Sequence, residues 1–318
     1  MTDDPRWDPE MRAQHLAMEQ AATQMPAIRL ELPLQPHRAV NDALATRWAT
    51  GGPEMADSAD RWIPARGRRV LCRVHRPSTD RELPVLVYFH GGGWVWSSID
   101  THDRLTRELA EAGQLATVSV DYALSPEAKF PQALEECAEV VRWLAANGAD
   151  WGLDGSRMLL GGDSAGGNLA LATALLLRDT GGPPLRGLLL YYPVCDSDFD
   201  RPSYREFATG YWLTAEKMRF YWSVYVPHEA DRLHPLAAPL RADLRALPPV
   251  LLQLAEMDVL RSEGEALAAR LGEAGVDVRH EVHRGLIHGF VRATATVGRA
   301  RDVVSRSGAW LREAAGPR

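Results

Sequence analysis

From Arg61 to the C-terminus, short apolar runs alternate with amphipathic stretches, and this rhythm constrains the fold more than any other feature of the chain. Residues 70–75 alternate as a half-buried strand would. Residues 85–89 are continuously apolar, the pattern of a strand covered on both faces. Residues 100–113 read as a helix, with Leu105 and Leu109 on one face and Gly113 at its end, and residues 115–120 as the next strand. Residues 131–147 form a helix opened by Pro131 and stopped by Gly148; Leu134, Cys137, Val141 and Leu144 are its apolar stripe. Strand 158–160, helix 165–178 and strand 188–192 follow. After a break come strand 250–255, helix 262–274, strand 276–283 and a closing helix from about Thr296. Strands that alternate with helices build βαβ units, so the expected class is α/β, with a mostly parallel sheet and helices on both faces.

Two segments depart from the rhythm. The first fifty residues are helical in tone: Met11, His15, Met18 and Ala22 share a face before Pro26 interrupts, and Gly51-Gly52-Pro53 ends the stretch. Between Cys195 and His228 the chain is irregular and aromatic, and Thr214 is placed to cap a helix beginning at Ala215. Lys217 stands where a full capping box needs an acid or amide. These segments predict a helical cap over one end of the sheet. The expected division is 1–50 for N-terminal cap helices, 51–194 for the first part of the core, 195–228 for the cap insertion and 229–318 for the rest of the core.

Composition narrows the function classes. With 46% hydrophobic and 25% charged residues in 318, the chain is globular and long enough to bury a core without disulfides. Its net charge of −6 and lack of a basic cluster argue against a nucleic-acid partner. Cys72, Cys137 and Cys195 are too scattered for a disulfide framework or a zinc site, and read as buried reduced thiols. The N-terminus lacks the basic and apolar regions of a signal peptide. The longest apolar runs, such as residues 188–194, are less than half a membrane span. A cytoplasmic protein without a membrane partner is expected.

Two glycine motifs carry chemistry. Gly162-Asp163-Ser164-Ala165-Gly166 follows an expected strand and opens an apolar helix, the context a nucleophile elbow demands. His90-Gly91-Gly92-Gly93 follows the buried strand 85–89. Its glycines let successive N–H groups turn into a cleft, so Gly92 and Gly93, with the N–H of Ala165, would form an oxyanion hole. A serine hydroxyl needs a base oriented by a carboxylate. In the order serine, acid, histidine, Asp258 and His288 lie just after late strands, with Glu256 a competing acid. His90 reads as a structural residue of the glycine loop. A metal site from His280, His283 and His288 is poorly spaced, so no metal or other cofactor is expected.

The sequence resembles the hormone-sensitive-lipase-like branch of the α/β-hydrolase fold, and within it bacterial acetyl-esterase-like carboxylesterases. The matching residues are His90-Gly-Gly-Gly-Trp94, Asp100-Thr-His-Asp103, Asp121-Tyr-Ala-Leu-Ser-Pro-Glu127 with Lys129-Phe-Pro131, Gly162-Asp-Ser-Ala-Gly-Gly-Asn168, Asp258 and Ile287-His-Gly-Phe290. The resemblance implies Ser164 as nucleophile, Asp258 as acid, His288 as base and Gly92, Gly93 and Ala165 as oxyanion donors. Many members have Arg at the position of Ala123, Ala at Ser125 and Pro at Val259, differences that touch substrate choice and leave the reacting groups in place.

The expected activity is hydrolysis of short-chain acyl esters through an acyl-enzyme. Trp94, Trp96, Trp212 and Trp222 are expected to shorten the substrate pocket. An amidase, arylformamidase or small-metabolite deacetylase would use the same groups. A ligand-binding receptor on this fold, as in the plant gibberellin receptors, lacks the base that His288 supplies. The expected partner is a small ester, and the chain is expected to be a monomer or homodimer.

Overall fold

In the computed structural model, residues 4–79 and 82–317 are described; the first three residues of the N-terminal stretch lie outside them. Helices α1 (Pro9–Thr23) and α2 (Gln35–Ala49) come first. The hairpin β1 (Asp57–Ala65) and β2 (Arg68–Arg76) follows, then β3 (Leu83–Phe89), α3 (Asp103–Gly113), β4 (Ala116–Asp121), α4 (Gln132–Asn147), β5 (Leu153–Asp163), α5 (Ala165–Asp179) and β6 (Leu188–Tyr191). Short α6 (Pro202–Glu206) and α7 (Ala215–Tyr225) occupy the irregular stretch. The chain ends with β7 (Val250–Met257), α8 (Arg261–Glu273), β8 (Val278–Ile287) and α9 (Gly298–Ala315).

The eight strands form one sheet in the order β1-β2-β4-β3-β5-β6-β7-β8. β1, β2 and β4 pair antiparallel, and the rest of the sheet is parallel. Right-handed crossovers then fix the layers. The connection through α3 steps from β3 towards β2, whereas those through α4, α5 and α8 step the other way. α3 therefore covers one face, where it packs on α9, and α4, α5 and α8 cover the other. Because connections leave neighbouring β3 and β5 in opposite directions, a crevice opens beyond their carboxyl ends, where α/β sheets bind ligands. The two glycine motifs sit at those ends.

Val85, Leu86 and Val87 of β3 and Leu159 and Leu160 of β5 are fully buried, each contributing about 1.5–3 kcal/mol relative to exposure. The continuous apolar runs are thus the doubly covered strands. β1 has no counterpart in the sequence reading, because only Ile63 and Ala65 of its nine residues are buried. It is an outward-facing edge strand, held by a two-residue turn at Arg66 and Gly67, both at positive φ. β5 is much longer than residues 158–160. Its first residue, Leu153, pairs with Leu83, a register shift follows before Met158 pairs with Val85, and Gly161-Gly162-Asp163 continue the ladder rather than turn. β8 extends to Ile287, so His288 follows its strand directly. The expected helix 100–113 begins with a 3-10 turn at Asp100–His102, and its left-handed terminus is Gln114, not Gly113.

The N-terminal helices are tied down at separate places. The Asp8 side chain caps α1, and Glu10 accepts from Gly298 N–H at 2.6 Å. In α2, Arg38 donates to the carbonyls of Val95 and Ser125 at 2.9 and 2.6 Å. Thr214 caps α7 by accepting from Lys217 N–H at 3.1 Å. No helix among the described residues is long and apolar enough to cross a membrane.

Candidate active site

Ser164 stands between the last residue of β5 and the first turn of α5, at φ 56° and ψ −120°. Such a backbone is costly for a non-glycine residue and persists only where its surroundings over-determine it. Here the Ser164 N–H donates to Tyr191 O at 2.9 Å, and the Ser164 carbonyl accepts from Asn168 and Val194 at 3.0 and 3.1 Å. The flanking glycines let the turn close on β3: a Cβ at Gly162 would lie 2.6 Å from the Phe89 carbonyl oxygen, and one at Gly166 2.6 Å from that of His90. The Asn168 amide, one turn into α5, donates to the carbonyls of Val194 and Ala237 at 3.0 and 2.9 Å.

The structure brings together the three far-apart side chains. His288 Nε2 lies 2.9 Å from Ser164 Oγ, and His288 Nδ1 lies 2.7 Å from Asp258 Oδ2. The other Asp258 oxygen accepts from Leu260 N–H at 3.0 Å. All three residues are buried, and the Tyr192 ring lies 4.5 Å from the imidazole. Glu256 is elsewhere: its carboxylate accepts from Gly285 N–H at 2.8 Å at the bend of β8. His283 bonds to Gln253, and His280 is exposed. No group of three or more His, Cys, Asp or Glu among the described residues could hold a metal.

The glycine loop faces the same point. Gly92 and Gly93 line the cavity with Ser164 and His288, and neither N–H donates to another described residue. Ala165 opens α5, so its N–H has no acceptor within the helix. Gly93 sits under the Tyr221 ring, where a Cβ would lie 2.5 Å from Cγ.

Asp163, an unassigned letter of the elbow motif, fastens this loop. It accepts from Tyr88 Oη and from Gly91 N–H, both at 2.9 Å, and His102 Nε2 approaches at 3.2 Å. Burial opposes its charge, but His102, Arg292 and the Tyr88 hydroxyl together hold the carboxyl well below the usual range. A carboxylate ending a buried strand was the available signal for this role. His90 is stacked on Tyr122 at 4.4 Å, with its Nδ1 2.9 Å from the Gly91 carbonyl. Burial first, then His102, pushes its pKa down to about 3, so it is neutral.

The profile of the α/β-hydrolase fold matches residues 86–292. The chain belongs to the α/β-hydrolase family. Within that family it lies in the hormone-sensitive-lipase-like branch. It is 39% identical over 247 residues to carboxylesterase NlhH of Mycobacterium tuberculosis, covering 76% of this chain and 77% of that one. To the ethyl acetate hydrolase of Pseudomonas putida it is 34% identical over 243 residues, covering 74% and 76%. A solved thermostable esterase from Pseudomonas putida superposes with a TM-score of 0.91 at 35% identity, over 100% of both chains.

The cavity of this hydrolase measures about 480 Å³. Its floor is the rim of the sheet. Its walls come from α1, α2 and the segment between them, together with Trp212, Leu213, Lys217 and Tyr221. Of the four tryptophans expected at the pocket, Trp96 and Trp212 line it. Trp94 and Trp222 do not: both are fully buried, Trp94 stacked on Tyr225 at 4.2 Å and edge-on to Trp222 at 5.3 Å. Trp94, at φ 61°, follows the glycine loop and turns back beneath it, and Trp222 lies on the buried face of α7.

Proposed function

We propose that this chain is a serine carboxylesterase that cleaves short-chain acyl esters by acyl transfer to Ser164. The observation that carries this reading is the unbroken line from Asp258 through His288 to the Ser164 hydroxyl, at 2.7 and 2.9 Å. His288 takes the Ser164 proton as Oγ attacks the ester carbonyl. Asp258 fixes the imidazole tautomer and stabilises its charged form. The N–H groups of Gly92, Gly93 and Ala165 receive the developing oxyanion, each worth about 3 kcal/mol in the transition state. His288 then gives its proton to the leaving alkoxide, and water repeats the sequence on the acyl-enzyme. No step calls for a metal or organic cofactor.

Trp96 and Tyr221 stand beside the loop that would hold the carbonyl, which favours short acyl groups. In this reading residues 1–50 and 195–228 form the cap over a core of residues 51–194 and 229–318. Three buried cysteines with no disulfide suit a cytoplasmic enzyme of small esters. His288 at bonding distance from Ser164 favours a catalyst over a receptor. Ser164→Ala is expected to lower kcat on 4-nitrophenyl acetate by about four orders of magnitude or more with the fold retained. A phosphonate ester should add to Ser164 alone, read by mass spectrometry. Retained turnover in the alanine variant would end the proposal.

A further inference from the structure

Two cations line the cavity above Ser164 that ester cleavage itself does not use. Arg292 closes the short turn after His288, its backbone N–H donating to the Gly289 carbonyl at 3.1 Å, and its side chain forms part of the cavity wall. Lys217 reaches the same cavity from the first turn of α7. Among the described residues, Arg292 is the one half-buried arginine whose guanidinium neither donates a hydrogen bond to the protein nor lies within ion-pair distance of a carboxylate. Lys217 gives one donor to the Trp212 carbonyl at 2.8 Å and lies over the Trp212 ring at 5.2 Å, with no carboxylate among the described residues in ion-pair reach.

The acids nearby do not consume these charges. Asp163 is the carboxylate in the cavity lining, and its oxygens are already taken by Tyr88, Gly91 N–H and His102; Arg292 acts on it only through space. Glu19 and Glu216 act on Lys217 at longer range, and Glu19 lies 3.3 Å from His15. A guanidinium held half out of water presents a planar fork of free donors, the shape that fits a carboxylate. Its position selects a side of the substrate. His288 must reach the leaving oxygen, so the alcohol part lies on the wall that His288, Gly289 and Arg292 share.

We propose that the site takes esters whose alcohol part bears a carboxylate, anchored by Arg292 while Lys217 adds to the positive field. This substrate class rests on the esterase reading above. In the unsubstituted protein, kcat/KM for 4-acetoxybenzoate should exceed that for 4-acetoxybenzamide by about tenfold or more, chiefly through KM. Arg292→Met should remove that ratio, Arg292→Lys should keep part of it, and Lys217→Met should lower it roughly twofold. An unsubstituted ratio near one, or a ratio unchanged in Arg292→Met, overturns the proposal. Ethyl hydrogen succinate against ethyl succinamate puts the charge on the acyl side, and an equal preference there overturns the assignment of side.

A measurement without substitution covers the case of a variant that does not fold. Inhibition of 4-nitrophenyl acetate cleavage by 4-hydroxybenzoate should be about tenfold tighter than by 4-hydroxybenzamide; equal inhibition overturns the proposal. Failure of the esterase reading looks different, since neutral and charged esters would then both go uncleaved.

Discussion

Ser164 and Trp212 line one cavity, yet they are held there by different means. Ser164 is fixed by backbone: its N–H and carbonyl bond to Tyr191, Asn168 and Val194, and the glycines at 162 and 166 seat it against β3. Trp212 is half-buried in an irregular stretch, at φ 72°, with its carbonyl and ring both engaged by Lys217. The rim of the sheet is therefore set by ladder hydrogen bonds that span three strands. The roof is set by side-chain packing among helices distant in sequence. A change at the rim should alter rate, and a change in the roof should alter which ester is accepted.

The largest effect that would test this contrast is at Asp258, the carboxylate bonded to His288. Asp258→Asn is expected to lower kcat about 10⁴-fold at neutral pH with little change in KM, because the amide favours the wrong imidazole tautomer. A loss confined to KM would place Asp258 among the binding residues and break the comparison. Next comes the roof. Trp212 also lines a small side cavity with Met11, Trp48, His288 and Arg292. Trp212→Ala should therefore raise kcat/KM for acetates of bulky alcohols relative to ethyl acetate by about tenfold. An equal fall for all alcohols would show that the roof acts on rate as the rim does.

The smallest effect is a pH slope that belongs to the core. His90 stays neutral in the folded chain down to about 3, and burial likewise pushes His283 down to about 4, whereas both start from an ordinary value of 6.5. As pH falls below 6.5 the unfolded chain binds protons that the folded one refuses. The stability these groups contribute is thus whole above 6.5 and drains away towards pH 3–4. Urea midpoints between pH 7 and 4.5 should show this, and His90→Gln should make the slope shallower by about one proton. An unchanged slope would mean that His90 is protonated in the folded protein.

The parts fixed by backbone were the parts legible in the sequence. Glycines around Ser164 and after His90 announce turns that admit no Cβ, and the continuous apolar runs of β3 and β6 announce covered strands. What depends on packing was harder to read. β1 shows little apolar alternation because only Ile63 and Ala65 of its residues are buried. Gly161-Gly162 resembles a turn but pairs with β3 and β6, since a glycine in a strand leaves no periodic signal. The tryptophans were all equally bulky on paper. Only the fold shows that Trp94 and Trp222 pack beneath the cavity while Trp96 and Trp212 face it. Arg292 and Lys217 were invisible for the same reason: a cation with no carboxylate beside it is defined by what does not surround it.

The side-chain nitrogen of Asn168 grips the chain on both sides of the irregular stretch, at Val194 and at Ala237. One amide, rooted one helical turn from the Ser164 hydroxyl, thus sets both the point of departure and the point of return. Whatever length or texture the intervening forty or so residues adopt, they begin and end at the same two carbonyls. Grafting a foreign stretch between those anchors would exchange the protein's taste in substrates while sparing the reaction it performs.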